Sequence, residues 1–163
     1  MMGPMTLSGV RDITDAVIDD LLQVAVLSDR GKAMALLHEN EASPIQELVI
    51  AWAPGSVVDR HATTQDSESI MCLKGSLEMA VFMPDGSCSA KIHMTPPAQG
   101  GTSGVRLSAN TWIAYQAGPE GAVLLEHACG PFSSTNTRLW PLDPEEICLL
   151  FPAYVDPSSE NED

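Results

Sequence analysis

Basic residues are scarce in this chain: 8 Lys+Arg stand against 22 Asp+Glu in 163 residues, a formal net charge of −14. Nucleic-acid surfaces neutralise phosphates with a basic face, so that class of partner is excluded. A polybasic membrane patch is excluded for the same reason. No apolar run reaches the length needed to cross a bilayer. Met1 to Val10 has neither a charged leader nor a long apolar stretch, so no secretion signal is expected. Cysteine pairs are also lacking. Cys72, Cys88, Cys129 and Cys148 contain no C-x-x-C unit, which speaks against structural zinc. Without a secretion signal they are expected to be reduced thiols, mostly buried, rather than a disulfide framework. Histidine is sparse as well, with four in all. What remains is an acidic, cytoplasmic protein. Its length suits one domain that buries about 70% of the surface its unfolded chain exposes.

Asp12 to Leu27 reads as an amphipathic helix, with Ile13, Val17, Leu21 and Val24 at helical spacing. Asp12 is the expected N-cap, and Asp15 falls in the first turn, where the helix dipole favours acids. Arg30, Gly31 and Lys32 supply a stop. Ala33 to His38 fits either helix or strand. From Pro44 the texture becomes short β-prone runs: Gln46–Ala53, Val57–Ala62, Ser69–Leu73, Leu77–Met83, Ser89–Met94, Val105–Leu107, Thr111–Gln116 and Ala122–Ala128. Pro54-Gly55, Lys74-Gly75, Asp85-Gly86 and Ala117-Gly118 punctuate them. Asp85-Gly86 marks a hairpin. So many short strands mean a sandwich or barrel. Thr95 to Gly104 is a Pro/Gly-rich loop, and Ser158 to Asp163 an acidic tail expected to be disordered.

Gly55, His61, Thr63, Glu68 and Gly75 stand at the spacing of the first cupin motif, G-x5-H-x-H-x3-4-E-x6-G, with Thr63 in place of the second histidine. The second motif, around P-x-G-x-x-H, is replaced by Ser108 to Ile113, with Ile113 where the last histidine belongs. The chain resembles the WbuC-type cupins in several further stretches. These are Ser28-Asp29-Arg30-Gly31-Lys32-Ala33, Leu37-His38, Pro44 to Gln46, Ala53-Pro54-Gly55-Ser56, and Leu125 to Phe132. The resemblance runs from Asp12 to Glu146. It implies an all-β fold, a double-stranded β-helix (cupin jelly-roll barrel) carrying a short N-terminal helical extension. The expected layout is an extension over 1–43, a barrel over 44–146, and a C-terminal segment with the acidic tail over 147–163. Members of the family are usually described as cupin metalloproteins of unestablished activity, often encoded with polysaccharide genes.

A metal-binding cupin gathers two or three imidazoles and a carboxylate on one ion inside the barrel. Strand alternation turns His61 and Thr63 to the same side. The resemblance sets Glu68 at the start of the partner strand in a hairpin facing the pocket, and Ile113 on a third strand. Thr63 is a poor ligand at neutral pH and Ile113 is none. Two ligands of four fall below the usual catalytic minimum. The expectation is therefore a degenerate site with no cofactor. The alternative is a divalent metal on His61 and Glu68 with a third ligand such as His127, or Cys72, which shares the parity of Glu68. Either Glu126 or His127 must face inward.

The same groups still make a pocket. His61, Thr63, Glu68, Cys72, Ile113, Tyr115 and His127, with Ile70 or Met71 as apolar lining, suit a small polar ligand. His61 and Glu68 can form a hydrogen-bonded acid–base pair, or a satisfied core pair left from a metal site. His38 and His93 read as surface or packing residues, and Trp52, Trp112 and Trp140 as packing anchors. Gly100-Gly101 with Gly104 lacks the lysine of a phosphate loop, and no G-x-S-x-G elbow is present. Three functions follow. The first is a barrel binding a small, sugar-related ligand, which the resemblance implies. The others are a metal-dependent isomerase or dioxygenase, and a purely structural barrel. A homodimer is expected from edge strands that pair across subunits.

Overall fold

Two long strands form the spine of the fold. The computed structural model describes residues 11–64 and 67–152. Among these, eight strands make one sheet: β1 (Lys32–Leu36), β2 (Ile45–Trp52), β3 (Val57–Thr63), β4 (Ser67–Phe82), β5 (Cys88–Met94), β6 (Gly104–Ser108), β7 (Trp112–Cys129) and β8 (Thr137–Leu139). β4 and β7 pair with each other along most of their length. On its outer edge β4 meets β6 and then β5. On its outer edge β7 meets β3 and then β2, with β1 beyond β2 and β8 beyond β3. All these ladders are antiparallel, and the sheet curls into a double-stranded β-helix.

Four of the runs read from the sequence as separate strands are continuous. Ser69–Leu73 and Leu77–Met83 merge into β4, and Thr111–Gln116 and Ala122–Ala128 merge into β7. Lys74-Gly75 and Ala117-Gly118 are thus not turns. The register shifts between Cys72 and Lys74 and again between Gly75 and Leu77, where the strands bend. Gly75 has φ +74°, and a Cβ there would lie 2.0 Å from the Gly121 carbonyl oxygen. Gly121 also has positive φ and packs against the Trp52 carbonyl. The strands therefore bend where one backbone presses on another, which only glycine permits. β3 and β4 do not pair with each other. Each runs beside β7, so the hairpin expected between them is absent among the described residues.

The helix α1 spans Asp15–Leu27 and is capped by Thr14, whose hydroxyl accepts a hydrogen bond from the Val17 N–H at 3.3 Å. Asp12 lies too far upstream to reach the first turn. The helix buries Ile18, Leu22 and Ala25 against Val49 and Ala51 of β2 and Val123 of β7. Ile13 and Leu21 flank that stripe, whereas Val24 is 56% exposed. The buried face is thus rotated one row from the stripe read in the sequence. Each of Ile18 and Leu22 contributes about 1.5–3 kcal/mol by burial.

Of the stretch Ala33 to His38, left open between helix and strand, Ala33 to Leu36 is strand within β1, which ties the N-terminal extension into the sheet. Asp85-Gly86 is the hairpin turn between β4 and β5. A second helix, α2 (Pro144–Leu150), was not foreseen. It opens with a capping box between Asp143 and Glu146. The second Glu146 oxygen takes an ion pair from Arg60, 3.2 Å away. Arg60 is 2% exposed and stacks on Trp140 at 3.9 Å and Phe82 at 4.9 Å. The barrel interior holds Ile50, Ile70, Leu77, Met79, Ile113 and Leu124, among others. The thiols are free, but only Cys72 is buried. Cys88 and Cys148 are exposed, because they fall on outward positions of β5 and α2. The acidic tail from Ser158 and the Met1–Val10 start lie outside the described residues. No helix among the described residues is long and apolar enough to cross a membrane.

Candidate functional site

At the end of the barrel where β3 stops and β4 begins, the interior opens into a cavity of about 480 Å³. Its walls come from strand termini. β1 supplies Lys32, Met34 and Leu36, β2 supplies Leu48, β3 supplies His61 and Thr63, β4 supplies Glu68, and β7 supplies Glu126 and Ala128. Two loops form the rim. Phe132 N–H donates to the Glu41 carbonyl at 2.7 Å and Gly130 N–H to the Pro44 carbonyl at 2.8 Å. Buried Gln46 reaches the carbonyls of Asn40, Glu41 and Ser43. These bonds hold the mouth open on a rigid frame. The rim also carries His38, whose Nδ1 sits 2.8 Å from the Glu47 carbonyl oxygen.

His61 Nδ1 lies 2.8 Å from the Asp59 carbonyl oxygen, which can only accept. Nδ1 therefore carries the hydrogen, and in the neutral ring Nε2 is left as an acceptor. Burial pulls the His61 pKa below its usual value, with the Asp59 carbonyl bond and Asp59 charge opposing. The ring is neutral at pH 7. Its edge meets Tyr115 at 6.2 Å, and Tyr115 meets Trp52 at 6.0 Å, both T-shaped. The Lys32 ammonium lies 5.5 Å over the Trp52 ring. The Trp52 indole N–H is buried without a hydrogen-bond partner of good geometry, although it points its partial positive charge toward Tyr115.

The carboxyls are the unusual groups. Glu126 is pushed up to about 8, first by burial and then by the Glu68 charge, with Lys32 opposing. Burial raises Glu68 as well. Tyr115 is raised well above the usual phenol range by burial and by the charges of Glu126 and Glu68, with Trp52 opposing. At pH 7 Glu126 is therefore mostly protonated. The cavity then presents a carboxylic acid, a second carboxyl in Glu68, a neutral imidazole acceptor and an ammonium group within partly apolar walls.

Of the residues picked from the sequence, His61, Thr63 and Glu68 line the cavity. Ile113, Tyr115 and Cys72 do not line it; they belong to the packed barrel core, 1%, 4% and 1% exposed. The Cys72 thiol contacts the Lys74 carbonyl and burial pushes it up to about 11, so it stays protonated. His127 is exposed on the outer face, and Glu126 takes the inward position. Met71 also points outward, 45% exposed, while Ile70 is buried. No hydrogen bond joins His61 to Glu68 among the described residues; the His61 Nδ1 hydrogen goes to the Asp59 carbonyl instead. His93 pairs with Glu78 on the surface.

Glu126 was legible only as one of two options, and Lys32 and Phe132 were missed. The interior positions of β7 run 113, 115, 117 and then 122, 124, 126. The bend at Gly118–Gly121 thus switches alternation from odd to even. In β4 the switch at Gly75 has the same effect, from 68, 70, 72 to 77, 79. A parity count carried across either bend goes wrong.

The resemblance to metal-binding cupins implies a metal centre at this end of the barrel. Here Ile113 is core and Thr63 offers only a hydroxyl. Among the described residues no three His, Cys, Asp or Glu side chains gather closely enough to hold an ion. The residues do not fit a cupin metal centre.

Solved structures share this architecture at low identity, which shows the fold alone. An uncharacterised conserved protein with a double-stranded β-helix domain from Klebsiella pneumoniae matches at TM-score 0.58 and 12% identity. That match covers 85% of this chain and 98% of that one. Pumpkin pro-11S globulin matches at 0.55 and 12% over 70% of this chain. Coconut cocosin matches at 0.52 and 14% over 63%. The chain spans only 29% and 27% of those two seed proteins. Among curated proteins none matches. A family profile covers residues 13–94, half of the chain, from α1 to the end of β5. The chain belongs to the family described as a domain of unknown function, DUF6016, built on the double-stranded β-helix fold.

Proposed function

We propose that this barrel binds a small polar ligand, of the sugar class, in the cavity between His61, Glu68 and Glu126. The observation that carries the reading is the cavity itself. About 480 Å³ stays open at one end of an otherwise filled barrel, and its apolar walls hold a few convergent polar groups. A purely structural barrel would gain by closing that space with side chains. Sugar as the class comes from the WbuC-type resemblance. Fold alone does not set function. The metal-dependent isomerase or dioxygenase reading needs a third ligand, and His127 on the outer face cannot supply one. We place the protein in the cytoplasm as a homodimer with no nucleic-acid partner. Its net charge of −14 supports the lack of a nucleic-acid partner, and the edge strand β1 supports the dimer.

The test combines metal analysis of protein purified without an affinity tag with a thermal-shift screen of sugars, sugar nucleotides and small acids. A ligand raises apparent stability by RT ln(1 + [L]/Kd). A sugar-class compound is expected to raise Tm in the wild type and to lose its effect in Leu48→Trp, which fills the cavity. Stoichiometric Fe, Mn, Ni or Zn that disappears in His61→Ala would overturn the reading.

A further inference from the structure

The cavity holds more carboxyl groups than cations, and without a ligand Glu126 keeps its proton. Glu68 enters from β4, Glu126 from β7, and Glu41 adds a third carboxyl at the rim. Lys32, from β1, is the one cationic side chain among the described lining residues. The elements around Glu126 add no other charge. β2 contributes Leu48 and Gln46, and β3 contributes Thr63 and His61, whose imidazole is neutral. Arg11 lies nearby but donates to the carbonyls of Leu36 and His38, and it does not line the cavity.

Glu126 has no hydrogen-bond or ion-pair partner among the described residues, and protein encloses it on every side save the cavity. To ionise in that setting Glu126 needs a donor or a positive charge, and only the cavity side can supply one. A ligand that fits is cationic or donor-rich, because the neighbouring wall already holds an acceptor in His61 Nε2. An inorganic ion is a poor candidate, since no three donors converge. The apolar stretch formed by Met34, Leu36 and Phe132 suits the carbon frame of an organic cation.

We propose that the cavity selects ligands bearing a protonated primary amine, which Glu126 and Glu68 hold while Lys32 leaves one carboxyl charge unmatched. This inference rests on the cavity being a ligand site. It adds the class of group the site recognises: an amino sugar or another small organic ammonium. The ammonium donates hydrogen bonds to both carboxylates, Glu126 releasing its proton to solvent as the ligand binds, and His61 Nε2 accepts from a neighbouring hydroxyl.

The test is titration calorimetry of the whole chain with amines paired with their hydroxyl isosteres: glucosamine with glucose, ethanolamine with ethylene glycol, and putrescine with 1,4-butanediol. In at least one pair the amine binds while its isostere does not. In that pair Glu126→Gln and Glu68→Gln each weaken binding by roughly ten- to a hundred-fold, the range for losing a hydrogen bond to a charged group. Both variants are near-isosteric, and circular dichroism with an unchanged Tm near pH 5, where Glu126 is largely protonated in the native state, shows that they fold. Isosteres that bind as tightly as the amines overturn the amine inference and leave the ligand site standing. Amine binding that survives both glutamine variants also overturns it. If no member of either series binds, and no compound of the thermal-shift screen does, the inference and the ligand site fall together.

Discussion

The Glu126 carboxyl carries most of this molecule's response to pH, Glu68 adding to it with the same sign and His61, kept neutral by burial, opposing it below its ordinary pKa. Glu126 has a folded pKa of about 8 against an ordinary value of 4.5. Between those values the native state keeps a proton that the unfolded chain has released. Stability must then fall as pH rises through that window and level off above it. The sign is opposite to that of a salt-bridged carboxylate, because burial rather than pairing dominates. Urea unfolding of the wild type between pH 5 and pH 8.5 is expected to show the decline, on the order of a few kcal/mol. Glu126→Gln removes the titrating group and should flatten the curve markedly. A decline of equal size in the variant would place the effect elsewhere. At the same scale, the sequence exposed His61 and Glu68 through their spacing in a known motif. It left Glu126 and His127 undivided, because the parity of β7 changes at a bend whose position depends on backbone contact with Trp52.

At the scale of elements, the barrel corner depends on two glycines from different strands. Gly75 sits at φ +74° with the Gly121 carbonyl where a Cβ would go. Gly75→Ala must both strain the backbone and push β7 away. A loss of about 3 kcal/mol or more is expected in denaturant unfolding, above the ordinary range for a surface change. An equally stable Gly75→Ala variant would show that the bend relaxes without cost. The sequence marks Lys74-Gly75 and Ala117-Gly118 as turns, since glycine after a β run reads as punctuation, and gives no sign of Gly121. Only the pairing partner shows them to be bulges inside long strands. The helix α1 teaches a related lesson. Its amphipathic period was plain, but adjacent rows 13-17-21 and 18-22-25 are both apolar. The flat surface of Val49, Ala51 and Val123 selected the second row. The start of the C-terminal α2 was legible in Asp143-Pro144-Glu145-Glu146, a capping box with proline at the first helical position, and was passed over; its anchor, Arg60 between Trp140 and Phe82, comes from a distant strand.

On the whole molecule the charge of −14 acts through self-repulsion. Among the described residues the ion pairs are few: Arg60–Glu146, Lys74–Asp19 and His93–Glu78, the last charged only when the histidine is protonated. Most carboxylates therefore repel without local relief. Salt screens exposed charges beyond roughly 10 Å at 0.1 M, and more closely above that. Raising NaCl from about 20 mM to 500 mM at pH 7.5 is expected to raise Tm by several degrees. An unchanged or lower Tm would mean that specific pairs outweigh the net repulsion.

Composition and local pattern by themselves determined the acidic character, the leading helix, the dense short strands and the first motif. Each of these is written in neighbouring residues, through periodicity, turn chemistry or fixed spacing. Tertiary structure alone decided which strands fuse, which helix row is buried and which carboxyl enters the cavity. Those outcomes turn on contacts between residues tens of positions apart: Gly75 against Gly121, α1 against β2 and β7, and the β4–β7 pairing that brings Glu68 and Glu126 to one cavity. A bulge of one residue reverses every side chain beyond it, and no local pattern records where a distant backbone will force one.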